Sequence, residues 1–151
     1  MHTVIKASIN ELEPLSRLFD RYRVFYEKEP HSAAAKLFLW ERIIKNEAEI
    51  FVCMNEENIM VGFVLLYPLF SSTRMEKLWL LNDLYVDENH RGKGYSIALI
   101  NRAKELCKET KACGLMLETS KENAIGNRLY PTTGFTLDKD HNFYSWNANA
   151  G

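Results

Sequence analysis

Apolar and polar positions fall into short blocks of period two that alternate with longer stretches of helical spacing. Thr3 to Ala7 sets Val4 and Ile5 among polar neighbours and predicts a first short strand. Asn10 can cap a helix in which Leu12, Leu15, Leu18, Phe19, Tyr22, Phe25 and Tyr26 form one apolar stripe, with Pro14 close enough to the start to be tolerated. Glu27-Lys28-Glu29-Pro30 ends it. A second helix is predicted from about Ser32, with Ala33, Ala34, Leu37, Phe38, Trp40, Ile43 and Ile44 on its apolar side and Glu41, Arg42 and Lys45 on the wet side. Ile50 to Met54 and Met60 to Leu66 read as strands around the polar turn Asn55 to Asn58, and Pro68 closes the second of them. Leu78 to Val86 is the next strand, Ser96 to about Thr110 the main helix, and Leu115 to Glu118 a strand after Gly114. A short helix near Asn123 to Tyr130, then strands at Phe135 to Leu137 and Phe143 to Trp146, complete the chain.

The order β-α-α-β-β-β-α-β-α-β-β predicts an α+β fold, a mixed sheet with helices on its faces. Leu78 to Thr119, running strand, helix, strand, is the one segment expected to form a parallel crossover. With no repeat, low-complexity stretch or linker, residues 1–151 are expected to form a single domain.

Composition narrows this picture. The 151 residues are 46% hydrophobic and include three Trp, seven Tyr and eight Phe, enough for a substantial core. A formal net charge of −1 gives no electrostatic footprint for nucleic acid. The start, MHTVIKASINELEP, lacks the apolar region of a signal peptide, and no run approaches the roughly eighteen apolar residues of a membrane span, so the expectation is a cytoplasmic protein with no membrane partner. Cys53, Cys107 and Cys113 are odd in number and form no C-x-x-C, and Cys107 falls on an apolar helix stripe. His2, His31, His90 and His141 show no H-x-x-x-H spacing, so no metal is implied.

The chemistry centres on Leu80 to Ala103, LLNDLYVDENHRGKGYSIALINRA. Leu80, Leu81, Leu84, Tyr85 and Val86 have the character of a strand buried on both faces, interrupted by the polar pair Asn82-Asp83. Gly92 and Gly94 then alternate with Arg91 and Lys93 before an amphipathic helix carrying Ile97, Leu99, Ile100, Ala103, Leu106 and Cys107. Glycines at that spacing permit positive φ and close approach of backbone N–H groups, and a helix N-terminus favours anions, so a pyrophosphate is the simplest ligand. A P-loop is ruled out because Tyr95 follows Gly94 and no glycine stands five residues earlier; the dinucleotide pattern G-x-G-x-x-G would need glycine at Ile97. The pattern [RQ]-x-x-G-x-[GA] is met by Arg91 and Gly94 and, imperfectly, by Ser96, whose hydroxyl could cap the helix.

At these residues the chain resembles the GNAT superfamily of N-acetyltransferases. Asn123 to Phe135, N-A-I-G-N-R-L-Y-P-T-T-G-F, is similar to that family's second signature, with Gly126 in place of the usual alanine. The resemblance implies a GNAT-like central sheet, mixed but mostly antiparallel, with helices on both faces. It also implies acetyl-CoA as cosubstrate, no metal, and transfer of the acetyl group to a primary amine of a small molecule or protein by direct attack. It would place the pyrophosphate on Arg91, Gly92, Lys93, Gly94, Tyr95 and Ser96, and the pantetheine arm along the backbone of Leu84, Tyr85 and Val86. Asn123 matches an asparagine that contacts pantetheine or supports the site. Tyr130 matches the acid for the departing thiolate, a role that a phenol protonated at neutral pH can fill.

The helix pair near the amino end usually walls the acceptor site in this family, which makes Tyr22, Tyr26, Glu27 and Glu29 candidates for amine contact. Asn82 and Asp83 replace the Glu-Asp pair of polyamine acetyltransferases. Asn82 cannot take a proton, and strand alternation predicts that Asp83 faces the opposite side from it. Glu118 is an alternative, and the base stays unassigned. Homodimers are frequent in the family. A CoA-binding or sensing module with weak transfer is the alternative reading, motivated by Asn82.

Overall fold

The computed structural model describes residues 2–149, and the chain forms two compact units, Met1–Glu118 and Thr119–Gly151. In the first unit, strands β1 (Thr3–Lys6), β2 (Glu49–Met54), β3 (Met60–Ser71), β4 (Glu76–Val86) and β5 (Leu115–Met116) form one five-stranded sheet in sequence order. Pairings are antiparallel except β4 with β5, the parallel crossover expected from the strand–helix–strand pattern. The helices are α1 (Leu12–Phe25), α2 (Ser32–Ile44) and α3 (Tyr95–Thr110). This is the expected mixed, mostly antiparallel sheet.

Alternation along β2 and β3 sends side chains to two cores. Ile50, Val52, Phe63 and Leu65 pack with Leu12, Leu15, Leu18 and Phe19 of α1 and Ala35 and Leu39 of α2. Phe51 faces the other way and lies under the Arg102 guanidinium of α3, 4.2 Å from the ring centroid. On α3 the buried positions are Tyr95, Leu99, Ile100, Ala103, Leu106 and Cys107, whereas Ile97, expected in that stripe, is exposed. Trp79 Nε1 donates to Thr110 Oγ1 at 2.9 Å, tying the last turn of α3 to β4.

Several local expectations are corrected. The first helix is entered through a 3-10 turn, Ile9–Glu11, capped by Ser8 in a capping box with Glu11, so Asn10 is inside the turn and does not cap. Pro68 does not close β3, which runs on to Ser71. Pro68 faces Trp79, whose N–H turns away to the Gly114 carbonyl at 3.0 Å, so the missing proline N–H removes no ladder bond. On its other edge β3 has passed the last β2 pair, Glu49 with Leu66. Ser96 does not cap α3: Gly94 is the N-cap and Ser96 lies within the first turn.

The second unit contains α4 (Ala124–Thr132). Neither 135–137 nor 143–146 is a strand, because β-propensity is local while a ladder needs a partner edge, and neither segment pairs among the described residues. β5 is likewise shorter than expected, leaving Leu117 and Glu118 outside it.

Candidate active site

The last part of β4 is built differently from the rest of the sheet. β5 pairs only with Trp79 and Leu80, so from Leu81 to Val86 the strand has β3 on one side and no partner strand on the other among the described residues. Alternate backbone groups of this stretch therefore face an open edge: the Asp87 N–H donates to the Val61 carbonyl at 2.8 Å, which turns Asp87 and, two residues earlier, Tyr85 towards β3 and leaves the backbone of Leu84 and Val86 pointing outward. The Val86 carbonyl already accepts a hydrogen bond from Arg91 Nε at 2.9 Å.

A β-bulge interrupts this stretch. Leu65 pairs with Asp83 and Leu66 with Leu81, which leaves Asn82 as the extra residue. Simple alternation predicted Asn82 and Asp83 on opposite faces; the bulge overrides it, and Asn82 Nδ2 donates to Asp83 Oδ2 at 2.9 Å. The other carboxylate oxygen accepts from Tyr22 Oη at 2.7 Å. Burial pushes the Asp83 pKa above the usual aspartate range, and the bonds from Asn82 and Tyr22 oppose that shift.

Asp83 opens into a cavity of about 460 Å³ between α1, α2 and β4. Phe19, Tyr22 and Tyr26 come from α1 and its C-terminal turn, Ala34, Ala35 and Phe38 from α2, and Arg23 and Lys28 add positive charge. Tyr26 and Asp83 thus share one space. Asn82 is exposed, does not line it, and reaches it only through Asp83. Glu27 and Glu29 are exposed and do not line it either; Glu27 takes a left-handed conformation, φ 62°, where the chain leaves α1. Glu118 is exposed beyond the end of β5. Phe38, Arg23 and Lys28 were not anticipated from sequence, although Ala34, Ala35 and Phe38 at i, i+1 and i+4 share a helix face that could have signalled a wall with small residues beside a ring.

After β4, Asp87 is buried and bonds His90 Nδ1 at 2.9 Å, with Arg21 3.8 Å from its other oxygen, which fixes the 3-10 turn Glu88–His90. The Arg91 guanidinium folds back over Phe25 and Tyr85, 5.2 and 5.6 Å from their ring centroids. Gly92 and Gly94 both have positive φ, 76° and 85°, and a Cβ on Gly92 would meet nothing within 4 Å. That open surface ends at the N-terminus of α3, where no side chain caps the helix. Lys93 is exposed, and the Tyr95 ring is buried against His2, with centroids 4.4 Å apart. The loop thus leaves main chain exposed at an uncapped helix N-terminus, an arrangement that favours an anion.

A profile of the acetyltransferase (GNAT) family matches residues 13–135. The chain belongs to this GNAT family. It is 32% identical over 145 residues, 96% of this chain and 97% of the relative, to an uncharacterised N-acetyltransferase, YhfO, of Bacillus subtilis. A probable acetyltransferase of Haemophilus influenzae is 30% identical over 135 residues, 89% of this chain and 90% of the relative. The crystal structure of a probable acetyltransferase superposes with a TM-score of 0.92 at 31% identity, covering 96% of this chain and 97% of that one. The protein is therefore a GNAT acyltransferase. Among the described residues no cluster of His, Cys, Asp and Glu could hold a metal ion, and no helix is long and apolar enough to cross a membrane.

In the second unit of this GNAT chain, Asn123 caps α4. Its Oδ1 accepts from the Gly126 N–H at 3.0 Å, and its Nδ2 donates to Thr119 Oγ1 at 2.8 Å. A Cβ on Gly126 would lie 2.4 Å from Asn123 Nδ2, so an alanine there would displace the Asn123 amide from this position. Tyr130 is half-buried and meets the Phe135 ring edge-on at 5.6 Å, in a turn closed by Gly134 at φ 96°.

Proposed function

We infer that this GNAT acyltransferase moves an acetyl group from acetyl-CoA to a primary amine held beside Asp83. The observation that carries this reading is the continuity of β4: one strand runs from the cavity carboxylate, along an open backbone edge, to the glycine loop. At about 3.3 Å per residue, Asp83 and Val86 are roughly 10 Å apart, a span suited to an extended thiol arm between amine and pyrophosphate. The outward backbone of Leu84 and the Val86 N–H would pair with that arm, with Tyr85 turned to β3 between them, and the N–H groups of Gly92 to Ser96 would hold the diphosphate, aided by Lys93. Arg91 would act by bracing the loop through Val86 rather than by reaching the ligand. Asn123 would support the site by holding the N-terminus of α4.

The chemistry then divides among few groups. An acceptor amine arrives largely as ammonium and must lose a proton before its lone pair can attack the thioester carbonyl carbon. Asp83, ionised but poorly solvated, pairs with the ammonium and takes that proton. A backbone N–H at the end of β4 polarises the carbonyl as its oxygen gains charge. The C–S bond breaks, and Tyr130 protonates the thiolate, a role resting on the signature around it and on phenol chemistry. The products are the N-acetylated amine and CoA.

Calorimetric titration with acetyl-CoA tests the reading. Micromolar binding is expected, and absence of heat at millimolar ligand overturns it. Tyr130→Phe is expected to lower turnover about tenfold or more with the acetyl-CoA affinity unchanged; equal turnover removes Tyr130 from the mechanism.

A further inference from the structure

The cavity beside Asp83 has a composition that restricts what amine can occupy it. Asp83 is the only carboxylate among its lining residues, while Arg23 and Lys28 supply two positive charges. Arg23 is partly spent on Asp20, 3.1 Å away, and on the Glu29 carbonyl, also 3.1 Å away. Lys28 is exposed at the end of α1. The remaining wall is mostly aromatic, and two of its rings are unusually open for their size: Tyr26 is 46% and Phe38 38% exposed.

A polyamine or an aminoglycoside carries several ammonium groups, each of which needs a carboxylate or water on leaving bulk solvent. Here a single carboxylate is matched to a single ammonium. Its Oδ1 accepts from Tyr22 and its Oδ2 from Asn82, which leaves lone pairs on both oxygens for the ammonium. Further cationic groups would meet Arg23 and Lys28 instead of partners. The aromatic faces of Tyr22 and Tyr26 favour both one cation and an apolar body, and covering the open rings of Tyr26 and Phe38 gains the apolar transfer energy. A volume of about 460 Å³ has ample room for an aromatic ring with a short arm.

We propose that the acceptor is a primary monoamine on an apolar, ring-sized body that also carries one anionic group, its ammonium on Asp83 and its anion on Lys28. This rests on the cavity being the acceptor site of the acetyl transfer described above. The reacting nitrogen forms the new C–N bond, the C–S bond of the thioester breaks, and the proton lost by nitrogen passes to Asp83.

The test compares kcat/KM for 4-(2-aminoethyl)benzoate, phenethylamine and spermidine at saturating acetyl-CoA, after acetyl-CoA binding has been measured by calorimetry on the same preparation. The benzoate is expected to lead phenethylamine about threefold, the size of a partly exposed ion pair, and spermidine at least tenfold. In Lys28→Ala the ratio of benzoate to phenethylamine should fall to near one, and Lys28→Arg should restore it. Spermidine equal to or faster than the aromatic amines overturns the proposed class while leaving acetyl transfer standing. So does bound acetyl-CoA with none of the aromatic amines turned over. Failure of acetyl-CoA to bind overturns the underlying reading instead, so the two failures are distinguishable.

Discussion

The glycine loop and the aromatic cavity lie at the two ends of the same stretch of β4 and are made of opposite materials. The loop works through main chain: its glycines hold positive φ, its surface is open above Gly92, and its one firmly placed basic side chain, Arg91, is turned back onto Val86, Phe25 and Tyr85. The cavity works through side chains from α1, α2 and β4, and its single carboxylate is aimed by a tyrosine from one element and by a bulged asparagine in its own strand. A ligand part common to all acetyl transfers can be met by backbone, which does not vary with side-chain identity. The part that differs from one acceptor to another is met by side chains, which do.

That contrast is breakable by experiment. The largest effect is expected from Gly94→Val. A β-branched residue at φ 85° is strained, and its Cβ would lie 3.0 Å from His2 Nε2, so the loop must rearrange and acetyl-CoA affinity should drop about a hundredfold or more while circular dichroism stays native. Retained affinity would mean that the loop does not bind through its backbone geometry.

Asp83→Asn comes next. With the proposed proton acceptor gone, kcat/KM for the amine should fall about a hundredfold, and the acetyl-CoA dissociation constant should remain within about twofold. A matching loss in both would show that the two ends are not separable.

The pH profile sharpens the same point. Protonated Asp83 neither pairs with an ammonium nor accepts its proton, so activity should be lost as pH falls through its pKa. Because burial raises that pKa above 3.8, the acid limb should lie above the range of a solvent-exposed aspartate. Tyr22→Phe removes a bond that favours the ionised form, so the limb should move upward by at most about one pH unit, the size of one hydrogen bond. A downward shift would contradict the assigned polarity of the Tyr22 contact. The smallest effect belongs to Lys93→Ala. The exposed ammonium should contribute only about threefold to acetyl-CoA binding, measured by calorimetry, and the difference should vanish in high salt.

How much of this was legible in the chain differs between the same two regions. Arg91 to Ser96 are consecutive, and what they do depends on glycine φ and on the helix that follows, both of which are written locally. The stripe of α3 was readable for the same reason, apart from Ile97. The failures are non-local. Pro68 looked like a strand end because a proline lacks an N–H, and only the direction of the Trp79 N–H made that lack harmless. Phe143 to Trp146 looked like a strand because aromatic residues favour one, and among the described residues no partner edge takes them up.

The sequence by itself determined the order of the elements, the parallel crossover, the glycine loop feeding a helix, and the family to which those motifs belong. Each follows from contacts within a few residues along the chain or from one period of apolar spacing. Tertiary structure alone decided that Asn82 and Asp83 touch, that Tyr22, sixty-one positions away, holds the carboxylate, and that Phe38 and Lys28 share its cavity while Glu27 and Glu29 do not. The first depends on a register shift between β3 and β4 and the others on how two helices dock against the sheet. Burial then moves the pKa of Asp83, and burial is a property of the packed molecule that no single position in the chain carries.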